Sequence, residues 1–236
     1  MPYLSRNDLD ALGARIYSDY KQLQSLQGPQ LQKVEPEILA HELCGLNVEY
    51  YHLSQSRTVL GLTSVAKVGV KVIDTEGNGL VYRLDGRTIL IEKDLRDNEE
   101  QRGRYHFTLS HEVAHQILDR LYPEQTRSIA TRVHYSKQTD RQPYPISDWT
   151  EWQANALASS LLMPVELVFN ALCRFDLSGG IKLLNRVFSP EIYERFCQAA
   201  ALLGVSKQAF ALRLKGLGML DKDYLDDPYR LVDVGG

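Results

Sequence analysis

The chain has little of what marks secreted and membrane proteins. Its 236 residues include only three cysteines, Cys44, Cys173 and Cys197. They are odd in number and widely spaced, which excludes a disulfide framework and a zinc–thiolate cluster. No apolar run approaches the length of a membrane span, and the first residues lack the apolar core of a signal peptide. We therefore expect a soluble, cytoplasmic protein with no membrane partner.

The chain also lacks a strong excess of either charge. It has 27 basic and 30 acidic residues, and its formal net charge is −3. Nucleic-acid-binding domains usually carry clustered basic charge, so DNA binding is possible here but not favoured. A chain of this length can bury a sizeable core without covalent cross-links. The length suits one large domain or two small ones.

Apolar residues at helical spacing predict a helix from Ser5 to about Ser25, with Ser5 and Asp8 placed as a capping box. Residues 37–43 form a second predicted helix, which Pro36 opens. The following region is rich in Val, Ile and Tyr and predicts a small, mostly antiparallel sheet. Its four predicted strands are Val48 to His52, Val68 to Ile73, Leu80 to Leu84 and Thr88 to Ile91. We interpret Ile89 to Ile91 as an edge strand, which can hold an extended peptide.

Asp97 and Glu100 have the spacing of a capping box, which predicts that a further helix begins there and ends near Leu121. Gly103 inside this helix indicates close packing or a bend. The predicted buried stripe consists of Leu109, Val113, Ile117 and Leu121. After an irregular segment over residues 122–147, helices are predicted from Trp149 to about Leu220, and the acidic residues that follow predict a frayed tail.

The pentapeptide His111-Glu112-Val113-Ala114-His115 carries the clearest chemical signal of the chain. On a helix, residues four apart lie on one face, so both imidazoles can bind a single metal ion. Glu112 lies about 100° further round the helix and can reach a water molecule at the metal without being a ligand. The pattern therefore predicts a hydrolytic site with one zinc ion, which still needs a third ligand and an open coordination position.

The third ligand has several candidates. A histidine six residues after His115 would mark one class of zinc protease, but that position is a leucine. The remaining candidates are His134, Asp140, Asp148 and Glu151. Glu151 is favoured because it shares a helix face with Ala154 and Ala158, and two alanines allow another helix to approach closely.

Two alternatives stay open at this point. Glu151 also has the spacing of a capping box with Asp148, so spacing alone does not decide whether it binds metal. His134 is the second choice as a ligand, but a histidine beside Arg132 and Lys137 is more simply interpreted as a solvated loop residue.

Two blocks of this sequence resemble the ImmA/IrrE family of metallopeptidases. They are Arg104-x-x-Phe107-Thr108-Leu109-Ser110-His111-Glu112-Val113-Ala114-His115 and Glu151-x-x-Ala154-Asn155-Ala156-Leu157-Ala158-x-x-Leu161-Leu162-Met163-Pro164. The resemblance implies that one zinc ion is held by His111, His115 and Glu151, and that Glu112 is the catalytic base. It further implies a protein substrate, a helix-turn-helix transcriptional repressor, whose cleavage derepresses genes of a mobile element or a stress response.

The expected fold class is α+β. Residues 1–165 are predicted to form a zincin-like metallopeptidase domain, residues 166–220 a small helical, helix-turn-helix-like region, and residues 221–236 an acidic tail. Two features depart from the family pattern. Ala114 stands where the family commonly has glycine, and the segment between His115 and Glu151 is long.

The predicted C-terminal helices resemble a helix-turn-helix core around Gly204, in which Ser206 caps the second helix. Ala209, Leu212 and Leu214 are predicted to pack inward. The side chains predicted to reach phosphates or bases are Lys207, Gln208, Arg213 and Lys215. The alternative is an ordinary helical hairpin that packs on the rest of the chain.

Two functions follow from these patterns. The first is a zinc-dependent endopeptidase in which Glu112 accepts a proton from the attacking water. The second is a non-catalytic, metal-containing regulator that binds a repressor or DNA. A structural zinc site normally has four protein ligands, whereas three ligands leave a position open for chemistry.

Overall fold

The computed structural model describes residues 3–25, 31–74, 76–123, 134–137 and 149–230. The helices of these ranges are α1 (Arg6–Ser25), α2 (Pro36–Ile38, continued by a π-helical turn over Leu39–Leu43), α3 (Lys93–Asp97), α4 (Arg102–Leu121), α5 (Trp149–Leu162), α6 (Val165–Arg174), α7 (Pro190–Leu202) and α8 (Lys207–Gly216). The strands are β1 (Asn47–Tyr51), β2 (Val59–Thr63), β3 (Lys67–Ile73), β4 (Gly79–Asp85), β5 (Thr88–Glu92), β6 (His134–Lys137), β7 (Ile181–Leu184) and β8 (Leu220–Asp223).

The largest sheet has four strands in the order β1-β5-β2-β6. Strand β5 pairs parallel with β1 and antiparallel with β2, and β2 pairs antiparallel with β6. Strands β3 and β4 form a separate antiparallel hairpin, and β7 and β8 form a parallel pair. Helices together with small, mainly antiparallel sheets make this an α+β fold.

The interpretation of Ile89 to Ile91 as an edge strand is wrong. These residues lie in β5, which has a neighbour on each side, and all five residues of β5 are buried. A continuous apolar run is typical of a strand that is covered on both faces. The sequence prediction missed β2, which lies between β5 and β6 in the sheet. It was missed because a glycine weakens the strand pattern of Val59–Thr63.

Two of the capping boxes that the sequence suggested can be compared with the structure, and their outcomes differ. At α1, the backbone N–H of Ser5 donates to Asp8 Oδ2 at 2.8 Å, and Asp8 N–H donates to Ser5 Oγ at 3.3 Å, which confirms that box. At α4, the prediction from Asp97 and Glu100 is wrong. The Asn98 side chain instead accepts a hydrogen bond from Glu100 N–H at 3.0 Å, and it caps a single 3₁₀ turn before α4 begins.

Helix α4 runs through the interior of the molecule. Leu109 and Val113 are fully buried as predicted, but Leu121 is 49% exposed, because the last turn of the helix extends beyond the core. Gly103 is a point of close packing, as expected. A Cβ atom there would lie 2.7 Å from the backbone nitrogen of Ser206, so α4 and the start of α8 approach at backbone distance.

The C-terminal part departs from the sequence prediction in two ways. Residues 181–184 and 220–223 form β7 and β8 instead of helix and frayed tail, since their backbones pair with each other. In α8, Leu212 is 62% exposed, whereas Arg213 is only 1% exposed. Arg213 Nη1 lies 2.6 Å from Asp10 Oδ1, and its Nε donates to Met163 O at 3.0 Å. The prediction that Arg213 reaches DNA is therefore wrong.

One hydrophobic core cluster joins the N-terminal and C-terminal parts. It contains Leu9 and Tyr20 from α1, Leu109 from α4, and Phe196 and Phe210 from α7 and α8. A smaller cluster lies between the four-stranded sheet and the β3–β4 hairpin. Among the described residues, no single helix is long and apolar enough to cross a membrane; α5 and α6, bent by 51°, reach that length and composition only as a pair.

Candidate metal centre

Two histidine side chains on one side of α4 point their ring nitrogens toward each other. His111 and His115 are one helical turn apart and both are buried. Their Nε2 atoms are 3.0 Å apart. The pentapeptide thus presents two imidazole nitrogens at a single point, as the four-residue spacing on a helix requires.

Glu151 comes to the same point from α5. Its Oε2 lies 3.2 Å from His111 Nε2, and its Oε1 lies 3.2 Å from His115 Nε2. Ala154 and Ala158 are fully buried, and α5 packs closely against α4. The structure therefore brings together His111, His115 and Glu151. Asp148 and Asp140, the other sequence candidates, lie outside the described residues.

The three donor atoms fit a metal ion by geometry and by chemistry. They all lie within 4.8 Å of one another. In a tetrahedral zinc site with metal–ligand distances of about 2.0–2.2 Å, the ligand atoms are roughly 3.3–3.5 Å apart. The measured separations of 3.0 and 3.2 Å are close to that value. Imidazole and carboxylate ligands suit zinc and several other divalent metals, so these residues could hold such an ion.

The electrostatics of the site favour the metal-binding forms of its residues. Burial, together with the neighbouring His111, lowers the pKa of His115 to about 3, so its imidazole is neutral at pH 7. Burial alone would raise the pKa of Glu151, but its contacts with His111 and His115 hold that pKa well below its usual range. A neutral imidazole and an ionised carboxylate are the forms that bind metal.

Glu112 is fully buried and faces strand β2. A Cβ atom at Gly61 would lie only 2.7 Å from Glu112 Oε1 and 3.0 Å from Thr108 Cγ2. The absence of a side chain at Gly61 therefore lets the Glu112 carboxylate lie directly against the strand. The sequence analysis missed Gly61; the signal available was a glycine inside an apolar strand pattern, which often marks a close approach.

His134 is not the solvated loop residue that the sequence predicted. It lies in β6 and is 3% exposed. Its Nε2 donates to Asp119 Oδ2 at 2.9 Å, and its ring stacks on His115 with centroids 3.8 Å apart. Its Nδ1 is 4.0 Å from Glu151 Oε1, but His134 is outside the group of three mutually close donors.

Asp119 is a second residue that the sequence analysis missed. It lies one turn after His115 on α4, so the same helical periodicity that pairs the two histidines could have indicated it. Burial alone would lower the pKa of His134, but the carboxylates of Asp119 and Glu151 outweigh burial and raise it to about 9.

A polar network anchors α4 to the sheet on the side of the site. Gln116 Nε2 donates to Thr63 Oγ1 at 2.7 Å and to Ser64 O at 3.0 Å. Arg120 in turn donates to Gln116 Oε1 at 3.2 Å and to Gly86 O at 2.9 Å. Since buried hydrogen bonds are costly to leave unmade, this network holds the helix in a defined position.

Two other groups of acidic and histidine side chains are less suited to a metal. Glu35, Glu37 and His106 come together near α2, and His52, Glu92 and Asp94 near β5. Each group already has a basic partner: Lys33 Nζ lies 2.6 Å from Glu35, and Arg57 Nη1 lies 3.5 Å from Glu92.

A scan against protein-family models and a search of curated proteins found no match to this chain. The case for a function therefore rests on the residues of the site and on the resemblance of its two sequence blocks.

Proposed function

We propose that this chain is a zinc-dependent endopeptidase of the ImmA/IrrE family with a zincin-like catalytic domain. One observation carries the proposal. Two buried imidazole nitrogens and a partly buried carboxylate, from His111, His115 and Glu151, converge with separations of 3.0–3.2 Å. Three Lewis bases at one point can bind a cation, and this donor set leaves a coordination position open for chemistry.

Glu112 is the proposed catalytic base. A zinc ion supplies Lewis-acid activation of a water molecule and of the substrate carbonyl. The Glu112 carboxylate accepts the proton of the attacking water and passes it to the nitrogen of the cleaved peptide bond. Its position next to His111 and against Gly61 keeps it in a water-poor environment beside the donor atoms.

The alternative is a non-catalytic regulator whose metal has four protein ligands. The position of His134 favours this alternative, since its Nδ1 is 4.0 Å from Glu151 Oε1. Against it, His134 stands outside the group of three donors. We therefore prefer the catalytic function. The burial of Arg213 removes one predicted DNA contact, which keeps DNA binding disfavoured.

The substrate proposal rests on the resemblance of the two sequence blocks. By that resemblance the substrate is a helix-turn-helix transcriptional repressor in the cytoplasm, and its cleavage derepresses mobile-element or stress-response genes. The extended polypeptide around the cleaved bond would have to reach the donor atoms of α4 and α5.

The decisive experiment pairs Glu112→Gln with a zinc assay. The variant should keep one zinc ion per chain and lose cleavage by a factor of roughly 1,000 or more, since the amide cannot accept the proton. Cleavage is measured on candidate repressors from the same genome, by mass spectrometry of the products. Glu100→Gln, at an exposed glutamate just before α4, is the matched control and should cleave normally. Cleavage by Glu112→Gln at the wild-type rate would overturn the role of Glu112.

A further inference from the structure

Within the described part of the chain, the two histidines of the site lack the support that metal-binding histidines usually have. Such histidines ordinarily donate their second ring N–H to a carboxylate or a carbonyl, which fixes the tautomer and the ring orientation. Among the described residues, the buried Nδ1 atoms of His111 and His115 have no hydrogen-bond partner. Some other contact must therefore orient these rings.

For His115, that contact is the ring of His134. The two rings stack with centroids 3.8 Å apart and an angle of 20° between their planes. Both side chains are buried, so the stacked pair excludes water from that face of His115. His111 meets His115 edge-on, with ring centroids 4.6 Å apart. His115 thus contacts two other imidazoles.

His134 is itself fixed by two independent attachments. Its backbone belongs to β6, where it pairs with Thr63 of β2. Its Nε2 donates to Asp119 Oδ2 at 2.9 Å, and Asp119 is only 6% exposed. Asp119 lies one turn after His115 on α4, so the helix that carries the ligand also carries the group that holds the stacked ring.

We propose that Asp119 and His134 form a brace that orients His115 for metal binding, in place of a hydrogen bond to its Nδ1. This inference rests on the proposed metal site and makes Asp119 and His134 positioning residues. The brace acts through the flat face of the His134 ring, whose plane sets the plane of His115. The carboxylate of Asp119 keeps the ring from rotating away.

The brace differs in its predictions from a role for His134 as a fourth ligand. A ligand needs the Nδ1 atom, whereas a brace acts through a flat ring of similar size. Phenylalanine retains the flat ring and removes both nitrogens. The comparison of His134→Phe with His134→Leu, which lacks a flat ring, therefore separates the two roles.

The experiment measures zinc affinity of the full chain by competition with a chromophoric chelator. Loss of an outer group that orients a ligand typically weakens metal binding by about 10–100-fold. We expect His134→Leu to show a loss near the upper end of that range. His134→Phe should lose only about tenfold, because phenylalanine keeps the stacked ring and loses the hydrogen bond to Asp119. Asp119→Ala should weaken binding by about tenfold in the wild-type background, but not in the His134→Phe background. His41→Phe, at an exposed histidine, is the matched control and should change nothing.

Cobalt substitution gives a second readout, which tells a metal ligand from a residue that only positions a ligand. The visible absorption of bound Co²⁺ should be the same in His134→Phe as in wild type, because the ligands are unchanged. An altered spectrum with an equal loss of zinc affinity in both His134 variants would make His134 a ligand and overturn the brace. Wild-type affinity in His134→Leu would also overturn it. Absence of zinc binding by the wild-type chain would instead refute the proposed function, and thermal melting of the metal-free variants identifies any that do not fold.

Discussion

Two partly buried polar clusters join distant parts of this chain, and they differ in composition. Between α4 and α5, His111, His115 and Glu151 present three electron-pair donors to one point. Between α8 and α1, Arg213 and Asp10 form an ion pair with Nη1 and Oδ1 2.6 Å apart. The first cluster contains only Lewis bases, whereas the second contains a cation and its own anion.

The difference distinguishes a cluster that could hold a metal ion from one that is complete within the chain. An ion pair that supplies both charges is complete, and removal of one partner leaves the other buried and uncompensated. A cluster of bases alone gains its stabilisation from an external cation. We therefore expect changes at the α4–α5 cluster to affect metal binding and to have little effect on folding. Changes at the Arg213–Asp10 pair should affect folding and have little effect on metal binding.

The largest expected effect is the loss of zinc affinity in Glu151→Ala. Zinc binding to a structural site is worth about 10–16 kcal/mol, so one of three ligands should account for roughly 4 kcal/mol, or about 1,000-fold in affinity. The measurement is chelator competition with metal analysis. Glu166→Ala, at an exposed glutamate of α6, is the control. Unchanged zinc content in Glu151→Ala would assign Glu151 to helix capping and remove the basis of the comparison.

Asp10→Asn should lower the stability of the fold and leave zinc affinity almost unchanged. Arg213 is 1% exposed and would lose its counter-charge, so unfolding free energy should fall by about 3 kcal/mol. For a chain of this size the melting temperature should fall by roughly 6–12 °C, as measured by circular dichroism. Zinc affinity should stay within about twofold of wild type. Asp19→Asn, at an exposed position of the same helix, should be near neutral.

Zinc itself should stabilise the fold only through the first cluster. At a free zinc concentration of about 100 times Kd, the unfolding free energy should rise by about 2.7 kcal/mol. The increase should be the same in Asp10→Asn, because its zinc site is intact, and absent in Glu151→Ala. Differential scanning calorimetry with and without a chelator measures it. A smaller increase in Asp10→Asn would show that the two clusters are coupled.

The smallest expected effect is that of Gly61→Ala, which should reduce catalysis without changing metal binding at the first cluster. In Gly61→Ala the new Cβ would displace the Glu112 carboxylate, which it would otherwise approach to 2.7 Å. A displacement of this size should reduce cleavage by about 10–100-fold and leave zinc affinity unchanged. Gly79→Ala is the matched control, since a Cβ at that strand position meets nothing within 4 Å. Equal cleavage by the two variants would contradict the proposed packing of Glu112.

The sequence predicted the helices better than the strands. The Ser5–Asp8 capping box and the helix bearing the pentapeptide follow from spacing alone. Strand β2 was missed because a glycine interrupts its pattern. Strands β6, β7 and β8 were missed because each has only four residues and none has a clear alternating pattern. Strand β5 was predicted but placed at an edge, since an apolar run does not reveal how many neighbours a strand has.

Within the site, local spacing and tertiary packing contributed different residues. His111, Glu112 and His115 are set by one helix, whose period places two imidazoles on one face. Glu151 was one of several candidates until α5 was seen to pack on α4. Local patterns could have indicated Asp119 and Gly61. The contacts of these two residues and the position of His134 depend on the pairing of β2 with β6 and on the position of both strands beside α4.

The sequence by itself therefore determined the pentapeptide, the helix that carries it and the common face of its two imidazoles, because those depend on neighbours within one or two turns. Tertiary structure decided which carboxylate joins the histidines, that Arg213 is buried against Asp10 instead of facing DNA, and that His134 stacks on His115. Each of these contacts joins residues at least 19 positions apart in the chain. Contacts of that range are set by how the helices and strands pack, which the periodicity of a single element does not encode.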